Sequence, residues 1–248
     1  MNINSFLSSP FAHRGLHNQH MGVPENSMAA FSLAMENGYA IELDVRPLKD
    51  GKPVVFHDAT LERMTGQPGH VLDLDRGQAS RLSLLGTQEA PPLLSQVLEA
   101  VRGKVPLYIE IKNGNRPGRL EQEVHKLLRS YHAKYAKHGG SFAVASFNPL
   151  VLAWFRLKAP DFLRVQIIGN SGKGGLRPHE KILARGWPLA ALGQPHALAA
   201  ALPILNSPLV GAQRSLGKPI IAWTVRSQAH LQRALRLADA YVFEGLRP

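Results

Sequence analysis

Short apolar runs recur along the chain, and between them apolar residues return every three or four positions. The runs are Phe11–His13, Ala40–Val45, Val54–His57, Pro106–Lys112, Phe142–Phe147, Leu163–Ile168, Leu189–Leu192, Pro219–Val225 and Tyr241–Phe243. Several are continuous and rich in Val and Ile, the pattern of parallel strands covered on both faces. The stretches between them read as helices. Glu25–Asn37 carries Met28, Phe31, Leu33, Ala34 and Met35 and meets a stop signal at Gly38. Pro92–Val101, Gly118–His132, Asn148–Ala159 and Ser227–Leu237 follow, and Asn148-Pro149 offers a cap with proline in the first turn. Strands alternating with helices predict βα units around a parallel sheet. One interval is too short for a helix: Asp50-Gly51, between IELDVRPLK and KPVVFHD, reads as a turn joining two extended segments. With Val54–His57 set aside as an extra strand, eight of the nine runs remain. The expected fold is therefore α/β: a single-domain (β/α)8 TIM barrel over residues 1–248, with a short extra β segment after strand 2. Ser171–Gly175 reads as a flexible loop within it, not a boundary.

Composition narrows the class. Hydrophobic residues make up 44% of the 248 and charged residues 19%, enough to bury a core and too few charges for a disordered polycation. The chain has no cysteine, which excludes a disulfide scaffold, a thiolate metal site and a cysteine nucleophile. The N-terminus lacks the basic and apolar regions of a signal peptide, and no run approaches the roughly 18 apolar residues of a spanning helix, so a soluble, cytoplasmic protein is expected. The formal net charge is +11. Residues 1–120 balance 12 basic against 12 acidic side chains, so the surplus lies in residues 121–248, with 17 against 6. A surplus of this sign points to an anionic partner: nucleic acid, a phospholipid surface or a phosphorylated small molecule.

The densest chemistry lies between Ala12 and Asp58. Glu42 and Asp44 are two apart on the apolar strand Ile41–Val45, so both carboxylates share a face. Glu110 and Lys112 repeat that geometry on a second strand. Carboxylates so crowded must be protonated, paired with cations or bridged by a metal. Three from two strands suit a hard divalent ion such as Mg²⁺ or Ca²⁺, and a buried ion-pair network with Lys112 neutralising Glu110 is the alternative. His13 and His57 each end a strand, and because histidine ordinarily titrates near neutral pH such a pair is suited to acid and base work at one phosphorus. Arg14 and Lys112 are the cations within reach, as phosphate holders or as partners of the carboxylates.

These residues sit in runs that resemble the glycerophosphodiester phosphodiesterase family. The matching runs are His13-Arg14-Gly15, Pro24-Glu25-Asn26, Ile41–Val45, Lys49-Asp50-Gly51, Val54–Asp58, Leu61–Thr65, Ile109–Lys112, Ser146–Pro149 and Ala222–Val225, in the family's order and spacing along nearly the whole chain. The resemblance implies a TIM-barrel enzyme of the compact bacterial type. It implies Glu42, Asp44 and Glu110 as divalent-metal ligands, and His13 and His57 as the catalytic acid/base pair. It implies Arg14 and Lys112 as phosphate-binding groups and Phe147 and Trp223 as aromatic linings of the substrate pocket. Glu25, Asn26 and Asp58 stand behind these. The implied reaction is metal-dependent hydrolysis of a small-molecule glycerophosphodiester to glycerol 3-phosphate and an alcohol, within lipid and glycerol metabolism. The usual route is attack by the substrate's own 2-hydroxyl, a cyclic phosphate, and its opening by water, with His57 as first base and His13 as acid.

Three places depart from the family's pattern. Phe243-Glu244 replaces the usual Thr-Asp, Arg226 stands where Asn is frequent, and residues 169–210 match poorly. The last, with the basic second half, motivates an alternative: a lysophospholipase D-like enzyme acting on acylated substrates, in reach of a membrane surface. A non-enzymatic nucleic-acid-binding protein rests on charge alone; no nucleic-acid motif is present and aromatics are 7%, so no nucleic-acid partner is expected.

Overall fold

The computed structural model describes residues 1–114, 116–136, 139–169 and 191–248. Nine strands form one sheet: β1 (Phe11–Ala12), β2 (Ala40–Pro47), β3 (Pro53–Val55), β4 (Leu107–Ile111), β5 (Phe142–Ser146), β6 (Leu163–Ile168), β7 (Ala197–Ala201), β8 (Ile220–Val225) and β9 (Ala240–Phe243). Eight run parallel and close into a ring, because β1 pairs with β2 on one side and β9 on the other. β3 stands outside the ring, antiparallel to β2, with Val45 opposite Val55. The expected TIM barrel and its extra β segment are both present.

The helices are α1 (Ile3–Phe6), α2 (Met28–Glu36), α3 (Glu62–Thr65), α4 (Arg76–Ala79), α5 (Leu94–Val101), α6 (Arg119–Tyr135), α7 (Pro149–Lys158), α8 (Pro208–Ser215) and α9 (Gln228–Leu237). The larger core lies between them and the outward strand residues, such as Leu43, Ile109, Val144 and Ala222. Alternate residues point inward and fill the barrel: Phe11, Tyr108, Val165, Ile167, Ile221 and Val242 among them. Small inward residues on β5 (Ala143, Ala145) and β7 (Ala197, Ala199) leave room for larger ones opposite. That room is taken by Phe11, Tyr108 and Phe6, which α1 inserts into the barrel's N-terminal end, with Phe6 4.9 Å from Phe11 between ring centroids.

Two expectations are corrected. The seventh strand is Ala197–Ala201, not Leu189–Leu192. Residues 189–190 lie outside the described residues, and Ala191 and Leu192 are helical. Alanine is the best helix former, so ALAAA carries no strand signal of its own; the barrel imposes extension by pairing it with β6 and β8. The second helix begins at Met28 rather than Glu25, because Ser27 caps it by accepting the Ala30 N–H at 3.1 Å. Glu25 and Asn26 are thereby left in a loop, free to turn toward the barrel mouth. The expected loop Ser171–Gly175 lies outside the described residues.

Between β3 and α5 the chain makes an excursion with its own apolar cluster of Leu48, Phe56, Leu61, Met64, Val71 and Leu84, among others. The β2–β3 turn is tight: Gly51 sits at φ 78°, and a Cβ there would collide with the Arg119 side chain. Among the described residues no helix is long and apolar enough to cross a membrane.

His196, at the entrance to β7, accepts the Arg164 backbone N–H on Nδ1 at 3.1 Å, so the ring is neutral in the fold. Burial first, then Arg164 and Lys218, push it down to about 4. The unfolded chain therefore binds more protons between pH 6.5 and 4, and stability falls as pH is lowered through that window. We expect a loss of roughly 1–2 kcal/mol from this ring after allowance for its partial exposure. Thermal melts from pH 7.5 to 5 check it: His196→Asn, whose amide oxygen can accept the same N–H, should lessen the pH dependence by this ring's share, with that of other buried histidines such as His13 remaining.

Candidate active site

The chemistry-bearing residues gather at the C-terminal ends of the strands, the face where TIM barrels carry their sites. Glu42 and Asp44 point inward from β2, and Glu110 from β4, with Asp44 directly across from Glu110 in register. One oxygen from each can be chosen so that all lie within 4.8 Å of one another. All three residues are buried. Lys112, two residues beyond Glu110, places Nζ 3.0 Å from Asp44 Oδ1 and in contact with Glu110 Oε1.

Arg14 holds the other side. It adopts a left-handed backbone (φ 55°), which turns its N–H onto Glu42 Oε2 at 2.8 Å. Its guanidinium donates to Glu25 Oε1 at 2.7 Å and lies 3.3 Å from Asp44 Oδ2. Gly15 continues the turn at φ 80°, packed so closely on Ala30 and Phe31 that a Cβ would meet both within 2.9 Å. Asn26 clasps Asp44 from behind, donating Nδ2–H to Oδ2 at 2.9 Å and accepting the Asp44 N–H at 3.3 Å.

Charge in this cluster is unbalanced. Burial, then Asp44 and Glu110, push the Glu42 carboxyl well above the usual range. Burial acts the same way on Asp44, but Lys112, His57 and Arg14 outweigh it and hold that carboxylate well below the usual range. Lys112 and Arg14 are raised, burial being overcome in each case by Asp44 and its neighbours. Asp44 Oδ1 is buried and accepts no well-directed hydrogen bond, Lys112 being an ion-pair neighbour only. A trio of all-oxygen donors with an orphaned oxygen and a displaced protonation fits a hard divalent cation.

The two histidines flank the trio, each backed by a carboxylate and that carboxylate by an arginine. His13 donates from Nδ1 to Glu244 Oε2 at 2.6 Å, because a carboxylate only accepts; its Nε2 lies 4.0 Å from Glu42 Oε2. Burial pushes this ring down to about 4 against the pull of Glu244. His57 donates from Nδ1 to Asp58 Oδ1 at 2.7 Å. Arg63 of α3 donates Nε–H to Asp58 Oδ2 and forks onto both oxygens of Glu25, at 2.7 and 2.9 Å. The short apolar excursion thus delivers a cation that ties His57's partner to Arg14's partner. Burial disfavours the charges of Asp58 and Glu25, but these arginine bonds, with His57 at Asp58, hold both below the usual carboxylate range.

His13, Arg14, Glu42, His57, Glu110 and Lys112 line one cleft of about 440 Å³. Phe147, just past β5, and Trp223, on β8, form its opposite wall, edge to face with ring centroids 5.6 Å apart. Every residue expected to touch substrate or metal is therefore in or directly beneath this cleft; Asp44, Glu25, Asn26 and Asp58 stand behind its wall. Four residues escape a reading of the sequence as site members: Arg63, Tyr108 on the cleft floor, Arg226 at the mouth and Glu244. Tyr108 shares the inward face of Glu110 and Lys112 at a spacing of two, a signal that was available. Glu244 follows a strand as His13 and His57 do, but its contact with His13 spans 231 positions.

The pattern of the glycerophosphoryl diester phosphodiesterase family matches residues 13–243. A glycerophosphodiester phosphodiesterase from Caldanaerobacter subterraneus subsp. tengcongensis is 30% identical over 235 residues, 91% of this chain and 88% of that protein. One from Bacillus altitudinis is 37% identical over 165 residues, 62% of this chain and 64% of its own length. The fold is similar to that of an Oleispira antarctica phosphodiesterase solved in complex with the product sn-glycerol-3-phosphate, with TM-score 0.75 and 22% identity over 97% of this chain and 94% of that one. A match from His13 to Phe243 takes in seven of the eight ring strands, all but the two-residue β1, together with the residues that line the cleft, and the chain belongs to the glycerophosphoryl diester phosphodiesterase family.

Proposed function

We propose that the chain, acting as one catalytic domain over residues 1–248, hydrolyses glycerophosphodiesters to glycerol 3-phosphate and an alcohol, with Mg²⁺ or Ca²⁺ held by Glu42, Asp44 and Glu110. The observation that carries this reading is the buried carboxylate trio set between two carboxylate-backed histidines at the mouth of one cleft. When bound, the metal neutralises phosphoryl oxygens and acidifies a hydroxyl. The rest is done by the chain's own groups. Lys112 donates to Glu110 and stands 3.0 Å from Asp44 as an ion-pair neighbour, which leaves N–H donors for a phosphoryl oxygen. Arg14 offers the remaining donors of its fork on the other side. Their positive charge stabilises the phosphorane-like charge build-up in the cleft.

One histidine takes a proton from the attacking hydroxyl as its oxygen bonds to phosphorus. The other gives a proton to the departing alkoxide oxygen as that P–O bond breaks. Both act through Nε2, since Nδ1 of each is held by a carboxylate. The apolar wall of Phe147, Ile167, Leu202 and Trp223 supports a second reading, in which the substrate carries an acyl chain.

The test is a panel of glycerophosphocholine, glycerophosphoethanolamine, glycerophosphoglycerol and lysophosphatidylcholine, read as glycerol 3-phosphate or lysophosphatidate release under Mg²⁺ or Ca²⁺ titration. Turnover that falls at least about a hundredfold with excess chelator and returns with added metal is expected. Unchanged turnover with chelator removes the metal. No turnover of any member removes the proposal, and faster turnover of lysophosphatidylcholine favours the second reading.

A further inference from the structure

We infer that Glu244 is the positioning residue for His13 and that Arg226 is the counter-ion keeping its carboxylate on that ring; this rests on the catalytic role proposed for His13. The two positions are among the three places at which the chain departs from the resemblance, and they meet each other. Glu244 Oε2 accepts from His13 Nδ1 at 2.6 Å and from Arg226 Nη2 at 2.7 Å, so one oxygen takes both donors. The backbone delivers them to the same point. His13 N–H donates to Phe243 O at 2.9 Å, and Glu244 N–H donates to Val225 O at 2.9 Å. The ends of β1, β9 and β8 are thereby laced side by side, with His13, Glu244 and Arg226 each the first residue beyond its strand.

The consequence for His13 is a defined tautomer. Glu244 fixes the proton on Nδ1 and leaves Nε2 facing the trio, 4.0 Å from Glu42 Oε2. Without it, the ring is free to carry its proton on the other nitrogen or to rotate, and the basic nitrogen no longer points at the reacting centre. Arg226 is half exposed at the cleft mouth and touches the same carboxylate oxygen, so it holds that carboxylate in place and ionised. His57–Asp58–Arg63 is built alike on the opposite wall. The site is thus two histidine–carboxylate–arginine relays facing one another, one through Asp58 and Arg63 and the other through Glu244 and Arg226.

A double-mutant cycle tests it. In metal-loaded enzyme, Glu244→Gln should lower kcat about 10- to 100-fold with KM within about twofold of the parent. In a His13→Gln background the same change should cost less than about twofold, because the residue it positions is gone. Arg226→Gln should give a smaller loss in kcat, and Arg226→Lys should recover most of it. Proton NMR supplies a readout independent of turnover: a low-field Nδ1–H resonance, assigned by its loss in His13→Gln, should be present in the parent and lost in Glu244→Gln. The inference is overturned if Glu244→Gln retains kcat within about threefold, or costs the same factor in both backgrounds. Retention of the low-field resonance in Glu244→Gln overturns it too. If His13→Gln itself turns over like the parent, the catalytic reading of His13 falls and this one with it. An impaired His13→Gln beside an unimpaired Glu244→Gln sinks the relay alone.

Discussion

Glu42→Gln is expected to abolish turnover and yet to raise the melting temperature of the metal-free protein. Glu42 is 2% exposed, and burial together with Asp44 and Glu110 already pushes its carboxyl well above the usual range. Glutamine keeps the shape, and its oxygen still accepts the Arg14 N–H that Glu42 accepts at 2.8 Å. What is lost is a carboxyl whose ionisation burial and the crowded trio penalise. The gain is about 1 kcal/mol, or roughly 2–4 °C for a chain of this size. Against it stands the loss of a proposed metal ligand: turnover should fall at least about 10²–10³-fold, and the upward shift in melting temperature expected of the parent with metal should vanish. Scanning fluorimetry with chelator and with excess Mg²⁺ or Ca²⁺, beside turnover, reads both effects. A variant that melts lower without metal, or that metal still stabilises like the parent, contradicts this account of the trio.

The second large effect belongs to the histidines. His13→Gln and His57→Gln should each cost about 10²–10⁴ in kcat/KM. Groups that act on one phosphorus act as a unit, so the double variant should lose little more than the worse single one. Losses that instead multiply would mean two independent roles. Stability separates the pair as well. His57 is 28% exposed by side chain and His13 14%, so the first substitution should leave the melting temperature nearly unchanged.

Much of this site was legible along the chain because strands have a period of two. Glu42 with Asp44, and Glu110 with Lys112, declare a shared face on sight, and strand ends put His13 and His57 at the barrel mouth. Other parts had no local signal. β7 is alanine-rich, and only its neighbours make it a strand. Phe6 plugs the barrel from a four-residue helix too short to show a period. Arg63 lies in a matched run, yet nothing in that run says that it bridges Glu25 and Asp58. Glu244 and Arg226 were each visible as departures from a family pattern. That they are partners emerges only from the ring, which brings position 13 beside position 244.

That closing seam has a bearing on how the enzyme comes into being. β1 is only two residues long, and one of its two pairings is with β9, some 230 residues later. Contacts of such wide sequence separation are costly to form early. A chain emerging from the ribosome has Glu42, Asp44 and Glu110 in hand once β4 is made, whereas His13 must wait for Glu244, 231 positions further on. The nascent barrel can gather its carboxylate trio long before the proposed chemistry is open to it, and competence arrives with the closing of the β1–β9 seam.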